Sequence, residues 1–126
     1  MVRSRTITVS VKRKTGDTFD AILNCPQKMM PDATINNDGW WSFSTPRGKA
    51  RLKFKENKSL GILDHMFIDA EAAWNNSMRV ISKGDESEII ITLIKPRQLT
   101  DEQFNARMVE IEQTLGNMKK IIELDA

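Results

Sequence analysis

The sequence predicts an α+β protein: a curved antiparallel sheet of six to seven strands, with two short helices and a long C-terminal helix packed across it. Three observations carry this. Between Thr100 and Leu124, Phe104, Met108, Ile111, Leu115, Met118 and Ile122 recur at alternating spacings of four and three, the apolar stripe of a helix lying on one surface. Upstream, strand-like segments separated by turn residues follow one another at intervals of roughly ten to fifteen residues, the rhythm of an antiparallel meander. The 126 residues are expected to form a single domain, residues 1–126, large enough to bury a core.

Each element has its own local argument. Arg5 to Lys12 alternates as a first strand. Thr15-Gly16-Asp17 leads into a short helix, with Thr15 or Asp17 as its cap and Phe19, Ile22 and Leu23 as its apolar face. Pro26 is expected to stop that helix, and Gln27 to Thr34 to form a second one. Asn36-Asn37-Asp38-Gly39 is a turn. Strands are expected over Trp40 to Thr45, Lys49 to Lys55, Leu60 to Asp69, Ala73 to Ser82 and Ser87 to Lys95. Pro96 ends the last strand, and Thr100 with Gln103 reads as a capping box opening the long helix. Gly116 inside that helix costs about 1 kcal/mol against alanine. A close helix–sheet contact or a kink would account for it.

Composition narrows the functional classes. No segment approaches the ~18 consecutive apolar residues of a membrane span. Met1 to Lys14 is basic but has no apolar stretch and no small-residue cleavage site, so a cytoplasmic location is expected. The single cysteine, Cys25, has no partner for an internal disulfide and no adjacent basic activator, which argues against a nucleophile. One histidine and one cysteine exclude a His- or Cys-rich zinc site. No glycine-rich phosphate loop or dinucleotide fingerprint is present, and no cofactor is implied.

The net charge of +2 conceals an asymmetry: residues 1–58 carry 12 basic and 5 acidic side chains, residues 59–126 carry 7 and 12. Arg47, Lys49, Arg51, Lys53 and Lys55 alternate with Gly48, Ala50, Leu52 and Phe54. A phosphate-binding stripe is one reading of this row. The favoured reading is an edge strand or solvent-facing strand whose lysines deter edge pairing, because the row has no stacking aromatics and no nucleic-acid motif beside it.

Several strings, in order, carry a resemblance. They are Gly39-Trp40-Trp41-Ser42-Phe43 with Pro46-Arg47-Gly48, Leu60-Gly61-Ile62-Leu63-Asp64-His65, Met78-Arg79-Val80, Glu86-Ser87-Glu88-Ile89, and Leu99-Thr100-Asp101-Glu102-Gln103-Phe104. Together they resemble the START/polyketide-cyclase-like superfamily (SRPBCC, birch-pollen-allergen-like), over nearly the whole chain. The resemblance implies a helix-grip fold: seven antiparallel strands gripping the C-terminal helix around an apolar cavity. It does not fix the chemistry, since the superfamily includes carriers, cyclases, hydrolases and chaperone regulators.

Candidate site residues follow from strand parity. Leu63, His65 and Phe67 share one face and Asp64, Met66 and Ile68 the other, so Asp64 and His65 cannot form an intrastrand dyad. His65 is either a hydrogen-bonded structural residue or, if it faces inward, a ligand-orienting or acid/base group. Trp41 and Phe43 share a face, with Trp40 and Ser42 opposite; they are either core or an aromatic cavity wall. Trp74, Asn76, Met78 and Val80 share a face opposite Arg79 and Ile81. Arg79 anchors a ligand carboxylate if it points inward, and pairs with Asp64 or Glu88 if it does not. Ala50, Ala33 and Gly48 are small enough to leave space, and the many methionines suit an adaptable pocket.

Three hypotheses result. The first is binding of a small hydrophobic or amphipathic molecule between the long helix and the sheet, with no nucleic acid and no membrane involved. Its lining would be drawn from Trp41, Phe43, Ala50, Leu52, His65, Phe67, Trp74, Met78, Arg79, Met108, Ile111 and Leu115. The second is a cyclase- or dehydratase-like enzyme with His65 as acid/base. The third is a protein-interaction module with a filled core and an exposed basic strand. A homodimer is compatible with each.

Overall fold

The computed structural model describes residues 3–124. Strand β1 (Ser4–Val11) is followed by helix α1 (Thr15–Met29), then β2 (Thr34–Ile35), β3 (Trp40–Thr45), β4 (Gly48–Asn57), a single 3-10 turn (Lys58–Leu60), β5 (Ile62–Ile68), β6 (Ala73–Lys83), β7 (Glu86–Ile94) and helix α2 (Asp101–Leu124). The strands form one seven-stranded sheet in the order β1-β7-β6-β5-β4-β3-β2, every neighbouring pair antiparallel. Strands β2 to β7 are a meander, and β1 closes on β7 at the far edge. Both helices cover the concave face, α2 against β1 and α1, and α1 also against β6 and β7.

Local chemistry explains most boundaries. Asn36 Oδ1 accepts from the backbone N–H groups of Asp38 (2.9 Å) and Trp40 (3.0 Å), so its side chain builds the turn into β3. Gly39 completes that turn at φ +86°, a left-handed conformation open to glycine without penalty. The capping box of α2 is reciprocal: Gln103 N–H donates to Thr100 Oγ1 (3.1 Å), and Thr100 N–H donates to Gln103 Oε1 (2.9 Å). Two of the unsatisfied donors at that helix start are thereby paired.

Four expectations are corrected. The two short helices are one, because α1 runs through Pro26 to Met29. Proline forfeits one i→i−4 bond, but the ring is buried and the next turn recovers through Met30 N–H to the Pro26 carbonyl at 3.0 Å. Neither Thr15 nor Asp17 caps α1: its N-cap is Lys14, without a side-chain cap, and Asp17 in the first turn pairs instead with Arg13. The segment at Leu60 is split, with Leu60 in the 3-10 turn and Gly61 left-handed before β5 begins. Finally, of the two alternatives for the cationic strand, β4 is solvent-facing, with Lys49, Arg51 and Lys55 exposed, and not an edge strand, since it lies between β3 and β5. Its alternating cations are therefore not edge protection; Arg51 and Lys53 lie over the outward ring of Trp40 at 4.3 and 5.9 Å.

The strand register sorts side chains as parity requires. The inward face carries Trp41, Phe43, Ala50, Leu63, Trp74, Met78, Val80, Ile89, Ile91 and Leu93, all buried. They pack with Phe19 and Ile22 of α1 and with Phe104, Met108, Leu115 and Ile122 of α2. Of the six residues in the α2 stripe, four are buried and two, Ile111 and Met118, are only half-buried. Gly116 makes no close helix–sheet contact: a Cβ there would have no neighbour within 4 Å.

Candidate functional site

Ile111 and Met118 stay half-buried because they face a cavity of about 390 Å3 between α2 and the sheet. The floor is Leu52 and Phe54 of β4, His65 and Phe67 of β5, Trp74, Asn76 and Met78 of β6, and Ile91 and Leu93 of β7. One wall is α1 with its exit, from Ile22 through Cys25, Pro26, Met29 and Met30. The other is α2, from Arg107 through Glu110, Ile111, Thr114 and Leu115 to Met118. The β3–β4 turn, from Phe43 through Pro46 to Arg47, completes the rim. Pro46, Arg47, Glu110 and Thr114 are exposed, so the cavity opens where this turn approaches α2. Pro26, which does not break α1, instead presents its ring to the cavity.

Eight of the anticipated lining residues come together here: Phe43, Leu52, His65, Phe67, Trp74, Met78, Ile111 and Leu115. Four do not. Trp41 and Ala50 pack in a smaller apolar cluster beside the cavity, and Met108 is wholly buried in the core under α2. Arg79 is on the convex face, because β6 alternates and Met78 is inward. There it pairs with Asp64 and donates to the Met78 carbonyl at 2.9 Å. Asp64 has a structural task as well. The β5–β6 ladder is interrupted between Ile62–Arg79 and His65–Asn76, and Asp64 Oδ1 accepts the Met78 N–H at 3.0 Å within that gap.

The polar content of the floor is small. His65 Nδ1 lies 3.0 Å from the Leu63 carbonyl, which only accepts, so Nδ1 carries the proton. Its Nε2 is then a lone pair, and Asn76 Nδ2 donates to it at 3.2 Å. Phe54 meets the imidazole edge-on at 5.5 Å between ring centroids. Burial holds the His65 pKa below its ordinary 6.5, outweighing the opposing influence of the Leu63 bond and the Asp64 charge. The histidine is thus a neutral, oriented ring.

At one end of the cavity lies a charged network. Arg107 is buried on α2 and donates to Asp69 Oδ2 (2.6 Å) and Glu71 Oε1 (2.8 Å), and approaches Glu110 at 3.4 Å. Its guanidinium sits 5.3 Å from the Trp74 ring centroid, and Phe104 stacks with that same indole at 5.9 Å. Arg47 bridges Glu71 and Glu110, both at 2.8 Å, tying the β3–β4 turn to α2. Burial would raise the Asp69 pKa, but the Arg107 bond and the N–H groups of Glu71 and Ala72 more than offset it and hold it below 3.8.

Sequence reasoning placed Asn76 on one face of β6 with Trp74, Met78 and Val80 without giving it a role, and passed over Arg107 and Glu110. The signal for Asn76 was its position, a lone amide in the otherwise apolar inward series Trp74, Met78, Val80. Arg107 had no such signal, since it sits beside the apolar stripe of α2 where charged residues are ordinary. Among the described residues, no three His, Cys, Asp or Glu side chains converge as metal ligands, and no helix is long and apolar enough to cross a membrane.

No protein-family model matches the chain, and no curated protein does so either. Solved structures do. The Aha1 dimer from Colwellia psychrerythraea is 13% identical, with 98% of this chain and 97% of that one covered at a TM-score of 0.74. A START superfamily protein from Mycobacterium smegmatis is 11% identical, with coverage of 99% and 100% and a TM-score of 0.69. Norcoclaurine synthase from Thalictrum flavum is 14% identical, covering 96% of this chain and 84% of its own, at a TM-score of 0.68. At such identities the likeness is one of fold. A seven-stranded antiparallel sheet closed around a long C-terminal helix, shared with all three, gives this chain the helix-grip fold of the START-like (SRPBCC) proteins.

Proposed function

We propose that this protein binds a small hydrophobic or amphipathic molecule in the cavity between α2 and the sheet. The observation that carries this reading is the cavity itself, about 390 Å3 and walled largely by apolar side chains from α1, α2 and five strands. That volume lies at the lower end of ordinary ligand pockets. Affinity would come from burial of ligand apolar surface, about 25 cal/mol per Å2, with polar groups of the floor setting orientation. The test is binding of a fluorescent apolar probe, 1-anilinonaphthalene-8-sulfonate, to the native protein and to Ile111→Trp. An indole at position 111 takes up cavity space from the α2 side. Probe binding weakened at least tenfold in the variant, with unchanged unfolding, is the expected result; equal binding would place the probe elsewhere and sink the reading.

A second reading has an observation behind it. His65 lines the cavity within hydrogen-bond reach of a polar partner, Asn76, which a cyclase- or dehydratase-like acid/base role requires. Against it, both ring nitrogens are already engaged, so proton transfer to a substrate needs Asn76 to release Nε2. Orientation of a bound molecule needs no such step, and we favour it. The filled-core interaction module has the least support, given a cavity of this size.

A further inference from the structure

We infer that a second copy of this chain pairs with the open edge of β1, so that two molecules join their sheets edge to edge about a two-fold axis at Thr6. Such pairing uses a different surface from the cavity and stands whether or not the cavity is occupied.

The sheet has two edges. One is β2, only two residues long. The other is β1, in unbroken register with β7 from Ser4 opposite Ile94 to Val11 opposite Ser87, without a bulge or a proline. In an antiparallel strand each residue points its N–H and C=O to one side, and successive residues alternate. The Arg3 carbonyl accepts from Lys95 N–H at 2.9 Å, so odd-numbered residues face β7 and even-numbered residues face outward. The outer contacts agree: the Ser10 carbonyl accepts from Lys119 Nζ, and Lys12 N–H donates to Glu123 Oε2 at 2.8 Å. These two side chains of α2 cover the far half of the edge. Ser4, Thr6 and Thr8 are exposed, and each aims its N–H and C=O outward with no partner among the described residues.

The same face of α2 accounts for a glycine. Glu112, Gly116, Lys119 and Glu123 follow one another at spacings of four, three and four, one side of the helix. Glu112 reaches β1 through Arg5 at 2.7 Å, and Lys119 and Glu123 reach it at Ser10 and Lys12. Gly116 between them carries no side chain, and a Cβ there would meet nothing within 4 Å. The helix thus touches β1 before and after residues 6–8 and leaves that stretch open.

An open edge is ordinarily protected by a lysine, a proline or a bulge, because any strand can add to it. The occupant that fits here is the same strand in reverse. With Thr6 opposite Thr6 of the partner subunit, Ser4 falls opposite Thr8 of the partner subunit, and each such pair exchanges two backbone bonds. On the convex side only Ser and Thr side chains meet, a favourable cross-strand set. On the concave side Arg5 lies across from Ile7 of the partner subunit and covers that half-buried side chain with its aliphatic stem. Charge matches as well. Arg5 is the only charged residue of β1 and is already neutralised by Glu112, so a strand with net charge would meet no counter-charge, whereas a second copy arrives balanced. The contact is much smaller than the roughly 20–30 residues a side of a standard interface, so a weak dimer is expected, with a Kd of about 10–100 µM.

The experiment is sedimentation equilibrium of the full chain from about 5 µM to about 1 mM, a range that brackets this Kd, with amide hydrogen exchange measured at both limits. We expect a monomer–dimer equilibrium, with the Thr6 and Thr8 amides exchanging several-fold more slowly at the upper limit and the Ile7 amide unchanged. Two variants locate the interface. Thr6→Pro removes an outward donor and no β1–β7 bond, an edge position at which a strand tolerates proline. Gly116→Lys sets a lysine beside the open edge in empty space and improves helix propensity, so its thermal midpoint should not fall. Each should weaken association about tenfold or more. A protein that stays monomeric at the upper limit, with Thr6 and Thr8 exchanging equally at both, would overturn the inference and leave the edge to solvent or to a strand of another protein. A dimer that both variants leave intact would overturn it too, by placing the interface elsewhere.

Discussion

Arg107 of α2 and Asp69 of the β5–β6 connection meet at 2.6 Å with their side chains only 8% and 3% exposed, the most deeply buried ion pair among the described residues. Asp69 is also the acceptor for the N–H groups of Glu71 and Ala72, both at 3.0 Å, so the carboxylate shapes its own loop before it meets the arginine. One contact thereby fixes the loop, seats α2 on it, and holds the guanidinium against Trp74 at the cavity floor.

Removing one partner of such a pair leaves the other charge buried alone. Arg107→Met is expected to destabilise the protein by about 3–5 kcal/mol. Adding Asp69→Asn, which keeps an acceptor for the loop and removes the charge, should recover more than half of that loss. Urea denaturation of the single and double variants measures both, and a cost below about 1 kcal/mol for Arg107→Met would mean that solvent reaches Asp69 freely.

His65 makes stability depend on pH near neutrality. Its folded pKa is below the ordinary 6.5, so the unfolded chain takes up the proton first. Stability is therefore complete above about pH 6.5 and declines as pH falls toward the folded pKa. Asp69 acts in a separate, lower window: its contribution is present above its unfolded value of 3.8 and is lost as pH falls through the folded pKa. His65→Gln keeps an acceptor for Asn76 and cannot titrate. Urea midpoints taken near pH 7.5 and pH 5.5 should differ less in this variant than in the native protein; an unchanged difference would assign the dependence to other groups.

Gly61 and Gly84 have nearly the same backbone, φ +66° and +65°, in different surroundings. A Cβ at Gly61 would stand 2.5 Å from the Val80 carbonyl oxygen, whereas one at Gly84 meets nothing within 4 Å. Gly84→Ala is expected to cost about 1–2 kcal/mol, the left-handed strain alone. Gly61→Ala adds a backbone clash beside the Gly61–Val80 hydrogen bond of 2.9 Å, and should cost more than twice as much. Comparable thermal midpoints for the two variants would count against the clash.

Legibility in the sequence followed the range of the forces involved. The capping box of Thr100 and Gln103, the Asn36 turn and the alternation of β3 and β6 are set by residues within a few positions of one another, and all are as the sequence predicts. Pro26 misled because its local preference was overridden: a buried ring packed at the cavity outweighs one missing backbone bond. The β4 cations do face solvent, one of the two places the sequence offered them; the edge alternative failed because sheet order is not local, and nothing in Arg47 to Lys55 says that the two-residue β2 and then β3 lie outside them.

Period determined which side chains travel together; packing determined where they went. The sequence alone settled that His65 and Phe67 share a face, that Arg79 opposes Met78, and that Phe104 to Ile122 form one stripe, because these follow from repeats of 2.0 and 3.6 residues. Only the tertiary structure decided that His65 is inside and Arg79 outside, and that Ile111 and Met118 face a cavity while Met108 is sealed in the core. It alone joined Asn76 to His65 across two strands, and Arg107 to Asp69 across 38 residues of chain. Those outcomes depend on how the sheet curves and where α2 crosses it, which are properties of the whole packed core and of no single segment.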